Sequence, residues 1–197
     1  MFKKLLSYIT DIHLESRESE HNEELHVVLS RGRHQLCTPN AIYSFDDLYD
    51  NYRNAFKKVD IGNRNYDTVL ILGLGLGSIP YMLENLFNCF FHYTAVEIDE
   101  EVVELANKYC LSQLESHIET IVADAHEFIL QNERQFDLVC MDVFVDDIIP
   151  AKFHRREFLT ALKGSISPGG LLMYNRLART PKDRRASRSF FEGHFKE

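Results

Sequence analysis

From Thr68 onward, short apolar runs alternate with stretches whose apolar residues recur every three or four positions. Val69-Leu70-Ile71-Leu72 is uninterrupted, as a strand covered on both faces requires. A glycine-rich turn follows it, and then a helix with Pro80 in its first turn, where proline is tolerated. Tyr93–Ile98, Glu119–Ala123, Phe136–Asp142 and Leu171–Asn175 read as four more strands, the last entered through a turn at Pro168-Gly169-Gly170. Helices are predicted over 99–110, 125–131, 153–166 and about 182–196. Strand and helix alternate five times. The expected architecture is therefore α/β: a doubly wound parallel sheet with right-handed crossovers and helices on both faces.

Residues 1 to about 60 are patterned differently. Leu25–Leu29 and His34–Thr38 flank Ser30-Arg31-Gly32-Arg33 and predict a β-hairpin. Ile42, Phe45, Leu48, Tyr49, Tyr52 and Phe56 recur at spacings of three and four and predict an amphipathic helix over 43–58. The chain thus divides into a small N-terminal hairpin-and-helix cap, residues 1–60, and a ligand-binding α/β domain, residues 61–197.

Composition adds few surprises. Of 197 residues, 45% are apolar and 26% charged, enough for a sizeable core in a soluble chain. The net charge of −8 repels phosphate backbones and argues against general nucleic-acid binding. The basic run Arg176, Arg179, Lys182, Arg184, Arg185, Arg188 reads as a solvated face. Cys37, Cys89, Cys110 and Cys140 are scattered and are expected to be reduced thiols, mostly buried. The nine histidines show no metal-ligand spacing, so no metal site is expected. Met1 to Leu6 imitate the start of a signal peptide, but the apolar run stops at Asp11. No run approaches the roughly 20 apolar residues of a membrane span, and a cytoplasmic location is expected.

In a doubly wound sheet, ligands bind outside the carboxyl ends of the strands, where strand order reverses. The first residues to question there are Gly73-Leu74-Gly75-Leu76-Gly77-Ser78. The phosphate-binding fingerprint would place its third glycine at Ser78. Glu97 ends the second strand of the α/β region, placed to accept hydrogen bonds from ribose hydroxyls. Asp124 ends the third, placed to meet an adenine amino group, and Asp142 ends the fourth, placed to meet a cationic amine. A rim of three acids suits a nucleoside carrying a positive sulfonium better than an anionic pyrophosphate. That favours an adenosylmethionine-type ligand over NAD.

Residues 68–175 resemble the class I methyltransferase fold, a Rossmann-like fold, through VLILGLGLGS, YTAVEIDEEVVELANKY, ETIVADAHEFI, FDLVCMDVF and SPGGLLMYN. Within that class the chain resembles spermidine synthase and its relatives, through AVEIDEEVVELANKY and the N-terminal LCTPNAIYSFDDLY. The resemblance implies that S-adenosylmethionine, or its decarboxylated form, binds here. Gly73, Gly75 and Gly77 would face its amino-acid or propylamine part, and Glu97 its ribose. Ile98 would pack on adenine, and Asp124 with Ala125 would meet the adenine edge. Asp142 matches the first aspartate of the family's Asp-Ser-Ser-Asp motif and would face the reacting amine. The family's loop aspartate, however, falls on Leu76, the second aspartate of that motif on Val145, and an amine-site tyrosine on Phe45. Asp146 and Asp147 lie one and two residues beyond Val145, and Asp142 and Asp146 are the catalytic candidates. These departures favour methyl transfer to a small, unidentified acceptor. The alternatives are aminopropyl transfer from decarboxylated S-adenosylmethionine and a non-catalytic nucleoside-binding module. Members of the fold continue into two more strands, so the fifth strand is expected to be an open edge, with a homodimer as one way to cover it.

Overall fold

The computed structural model describes residues 2–39, 41–145 and 148–195. A short helix, α1 (Phe2–Leu6), leads into β1 (Ile12–Arg17), β2 (Leu25–Ser30), β3 (Arg33–Cys37) and β4 (Ile42–Ser44). These strands form one antiparallel sheet in chain order. The expected hairpin is its centre, β2 with β3, and β1 and β4 extend it on either side.

The helix expected over 43–58 forms only in its second half, as α2 (Asp50–Lys58). Ile42 and Ser44 are instead paired with β3, and Asp46 adopts a left-handed φ of 36°, outside the region that a continuous right-handed α-helix over 43–58 needs. A short 3-10 turn, Asp46–Leu48, bridges strand and helix. Tyr52 and Phe56 of α2 are buried in the core of the parallel sheet.

The remaining elements are β5 (Thr68–Leu72), α3 (Ser78–Phe87), β6 (His92–Glu97), α4 (Glu100–Tyr109), β7 (Ile118–Val122), α5 (Ala125–Gln131), β8 (Phe136–Met141), α6 (Arg156–Gly164), β9 (Ile166–Tyr174) and α7 (Pro181–His194). The five strands are parallel, in the order β7-β6-β5-β8-β9. Alternate residues of β5 show why its run is unbroken. Val69 and Ile71 pack with α2, α3 and α4, while Leu70 and Leu72 pack with α5 and α6. This is the expected doubly wound α/β fold with a small antiparallel sheet ahead of it.

Two local devices position the site. Asp99 and Asp124 cap α4 and α5, each accepting from the amide two residues on. Pro168-Gly169-Gly170 lies inside β9 and is not a turn before it. The register against β8 shifts between Phe136 and Leu138, so the strand absorbs the three residues as an irregularity. Among the described residues no helix is long and apolar enough to cross a membrane.

Candidate nucleoside site

Strand order reverses between β5 and β8, and a cavity of about 580 Å³ opens beyond their carboxyl ends. Its floor is the loop after β5 with the ends of β6, β7 and β8. Its roof is the N-terminal segment, through Asn22, Tyr43, Ser44 and Tyr49. Gly73, Gly75, Glu97, Ile98, Asp124, Ala125 and Asp142 all line it.

The glycine loop is built by close approaches. Gly73 has φ +89°, and a β-carbon there would collide with the Asp142 carbonyl oxygen, so only glycine lets β5 end against β8. Gly75 lies under the roof, where a β-carbon would come within 3.2 Å of the Ser44 side chain. Gly77 departs from its expected role. Its α-carbon faces Leu111 and Cys110, outside the cavity wall, because the start of α3 packs there on the turn after α4. Leu76 is fully buried, packed with Leu25, Val27, Leu36, Val102 and Leu105. The position that carries an aspartate in the family pattern here joins the antiparallel sheet to α4.

Ser78, the residue in place of the fingerprint's third glycine, is a hook. Its hydroxyl pairs with Ser44 at 2.6 Å and accepts from the Phe45 amide at 3.1 Å, hanging the end of β4 on the start of α3. A second tie runs through Asp99, which accepts from Ser19 at 2.5 Å and Asn22 at 2.7 Å, while Tyr43 donates to Asn22.

Glu97 shapes the floor. One carboxylate oxygen accepts from the amides of Leu74 (3.0 Å) and Gly75 (3.4 Å), the other from Ile98 (2.9 Å) and Asp99 (3.3 Å). Four amides occupy the roughly four acceptor directions of the group. Burial raises its pKa despite those bonds. Asp124 accepts from the His126 amide and forms an ion pair with Lys152. Burial alone would raise its pKa, but Lys152 and that amide outweigh it and hold the carboxyl below its usual range.

Asp142 closes the wall at the end of β8. Its Oδ1 accepts from Asn175 Nδ2 at 2.7 Å and from the Tyr49 hydroxyl at 3.1 Å. Burial lifts its pKa to about 6, with Glu97 adding to the rise and the two donors opposing it. The Tyr49 phenol is itself pushed well above its normal value by burial and by Asp142.

The sequence pattern placed Tyr49 only on a helix face, and the family resemblance set Phe45, without a hydroxyl, at the position of an amine-site tyrosine. Because 42–44 is a strand and 46–48 a tight turn, Tyr49 reaches the cavity and Phe45 is not part of its wall. Asn175 follows the last strand, and the rule that flagged Glu97, Asp124 and Asp142 could have flagged it too. Lys152 carries no local signal. Val145 is in the wall and 60% exposed, while Asp146 and Asp147 lie outside the described residues.

The family model described as the spermine/spermidine synthase domain matches residues 55–179. The chain belongs to the spermine/spermidine synthase family. A polyamine aminopropyltransferase from Vibrio vulnificus (strain CMCP6) is 32% identical over 116 residues, covering 57% of this chain and 38% of the relative. A probable polyamine aminopropyl transferase from Bifidobacterium longum (strain NCC 2705) is 27% identical over 111 residues, covering 56% of this chain and 24% of the relative. The chain thus spans well under half the length of either family relative. Among solved structures, a probable spermidine synthase from Corynebacterium glutamicum superposes with a TM-score of 0.69 at 17% identity, over 91% of this chain and 68% of that one. At that identity the likeness speaks for the fold alone.

Proposed function

We propose that this chain transfers an aminopropyl group from decarboxylated S-adenosylmethionine to a small amine of the polyamine type. The carrying observation is Asp142, a half-buried carboxylate in the cavity wall whose Oδ1 is held by Tyr49 and Asn175. The names of the curated relatives support aminopropyl transfer over the methyl transfer that Leu76 and Val145 had favoured. In this reading residues 1–60 roof the site and residues 61–197 hold the nucleoside.

The donor is a dication, and a wall carrying Glu97 and Asp142 suits it. Its ribose would compete with the loop amides for Glu97, and its base would lie towards Ile98, Asp124 and Ala125. The acceptor nitrogen attacks the aminopropyl carbon bonded to sulfur. The carbon–sulfur bond breaks, its electron pair stays on sulfur, and neutral methylthioadenosine leaves. The acceptor must shed one proton, and Asp142 takes it. With a pKa of about 6 it is a stronger base than an exposed carboxylate and is still ionised at neutral pH.

The test supplies purified protein with decarboxylated S-adenosylmethionine and putrescine and follows methylthioadenosine. Release of methylthioadenosine with a matching aminopropylated amine is expected, with a fall of about a hundredfold or more for Asp142→Asn. Product from S-adenosylmethionine and a methyl acceptor, with none from the decarboxylated donor, would overturn the reading.

A further inference from the structure

The Asp124 carboxylate does not face the cavity alone. Its Oδ1 is committed to the His126 amide at 2.8 Å, and Oδ2 is paired with the Lys152 ammonium. Both side chains line the cavity and both keep part of their surface open, 27% for Asp124 and 35% for Lys152. The wall at this edge is therefore an acceptor beside a donor. Lys152 is carried on a 3-10 turn, Ala151–His154, whose Phe153 is buried under α6, and its Nζ lies 5.3 Å from the Phe153 ring centre. The ammonium is thus pinned on two sides, and an ammonium has three donors of which the carboxylate uses one.

We infer that Lys152 reads the nucleobase, donating to a ring-nitrogen acceptor while Asp124 accepts from the neighbouring exocyclic amino group. An acceptor beside a donor complements a base edge that carries an amino group beside an unprotonated ring nitrogen, as adenine does at N6 and N1. A 6-oxo base with a protonated N1 presents the opposite order. It cannot turn end for end to correct the mismatch while its ribose is held at Glu97. The inference rests on the nucleoside part of the proposed function, and it assigns Lys152 a role in base selectivity and none in the transfer step.

The test measures binding without turnover. Wild type, Lys152→Met and Lys152→Arg are titrated by calorimetry with methylthioadenosine and with its 1-deaza analogue, in which N1 is replaced by C–H. Wild type is expected to bind the analogue about tenfold more weakly, the loss for one charge-assisted hydrogen bond. Lys152→Met should bind both nucleosides alike and near the weaker value, and Lys152→Arg should restore part of the preference. If Lys152→Met keeps the wild-type ratio, Lys152 does not touch N1 and the inference fails. If wild type binds neither nucleoside, the nucleoside reading falls together with this one. If binding follows the expected pattern but no aminopropyl group is transferred, only the proposed reaction fails. Thermal melts of the three proteins separate lost contact from lost folding.

Discussion

The Tyr49 hydroxyl donates to Oδ1 of Asp142 across 3.1 Å and joins the turn before α2 to the end of β8. That bond opposes the rise that burial imposes on Asp142. Removing it in Tyr49→Phe should lift the Asp142 pKa further above about 6. The acid limb of a kcat/KM profile should then move to higher pH while the alkaline side stays in place. A profile that drops uniformly without moving would show that Tyr49 acts only on substrate.

The same raised pKa makes Asp142 a cost to the fold. The native state binds its proton more tightly than the unfolded chain does, so stability falls as pH climbs from the ordinary 3.8 through about 6. Across that interval the loss amounts to about 3 kcal/mol. Asp142→Asn keeps an acceptor for Tyr49 and Asn175 and removes the charge. It should melt several degrees above wild type at pH 8, with little difference at pH 4, while losing transfer activity.

Leu76 is a packing residue at a position where its family resemblance would put a catalytic-site acid. Leu76→Ala should lower stability by about 2–5 kcal/mol, read from denaturant midpoints. Leu76→Asp should be worse and should gain no activity, because the side chain is fully buried against Leu25, Leu36 and Val102 and does not face the cavity.

These positions show what the sequence made legible. The sheet, its two covered faces and the acids at strand ends followed from periodicity and strand order, because those signals are local and repeat every few residues. Tyr49 was read only as a helix-face position because one left-handed residue, Asp46, breaks a pattern that looked helical throughout. Lys152 and the Ser44–Ser78 pair were invisible because each depends on a partner 28 or 34 residues away. Glu97 was found, but its four amide donors are backbone groups, two from the glycine loop it faces and two from the residues that follow it, which no side-chain pattern records.

Glu97 should therefore matter before any ligand arrives. Glu97→Gln sets an amide donor against the loop's own donors and leaves a buried group unsatisfied, a loss of about 1–3 kcal/mol. Melting in the absence of nucleoside should fall by several degrees, and methylthioadenosine affinity should fall with it. Unchanged melting with lost affinity would mean that the loop does not need the carboxylate.

His154 gives the C-terminal helix a pH response. Its Nε2 lies 2.9 Å from Arg176 Nη1, and Arg176 stacks 4.0 Å from the centre of the Phe190 ring of α7. Burial, Arg176 and His194 hold the His154 pKa below its ordinary 6.5. The neutral form is the one the fold accommodates, so its contribution is complete above that value and is lost as pH falls below it. Trypsin cleavage after Arg184, Arg185 or Arg188 should accelerate between pH 7 and pH 5.5 relative to a control peptide, and His154→Leu should flatten the difference.

The serine hook at Ser78 has a consequence for how the molecule assembles. The glycine loop and its strand are contiguous in the chain, but the roof is tied on from far back in the sequence, by Ser44, 34 residues before Ser78, and by Ser19, 80 residues before Asp99. Such closures are entropically slow and gain little until both ends are already structured. Nucleoside-binding competence therefore waits on the docking of the N-terminal segment, and a chain that holds the parallel sheet without these ties has the floor of the site and no roof.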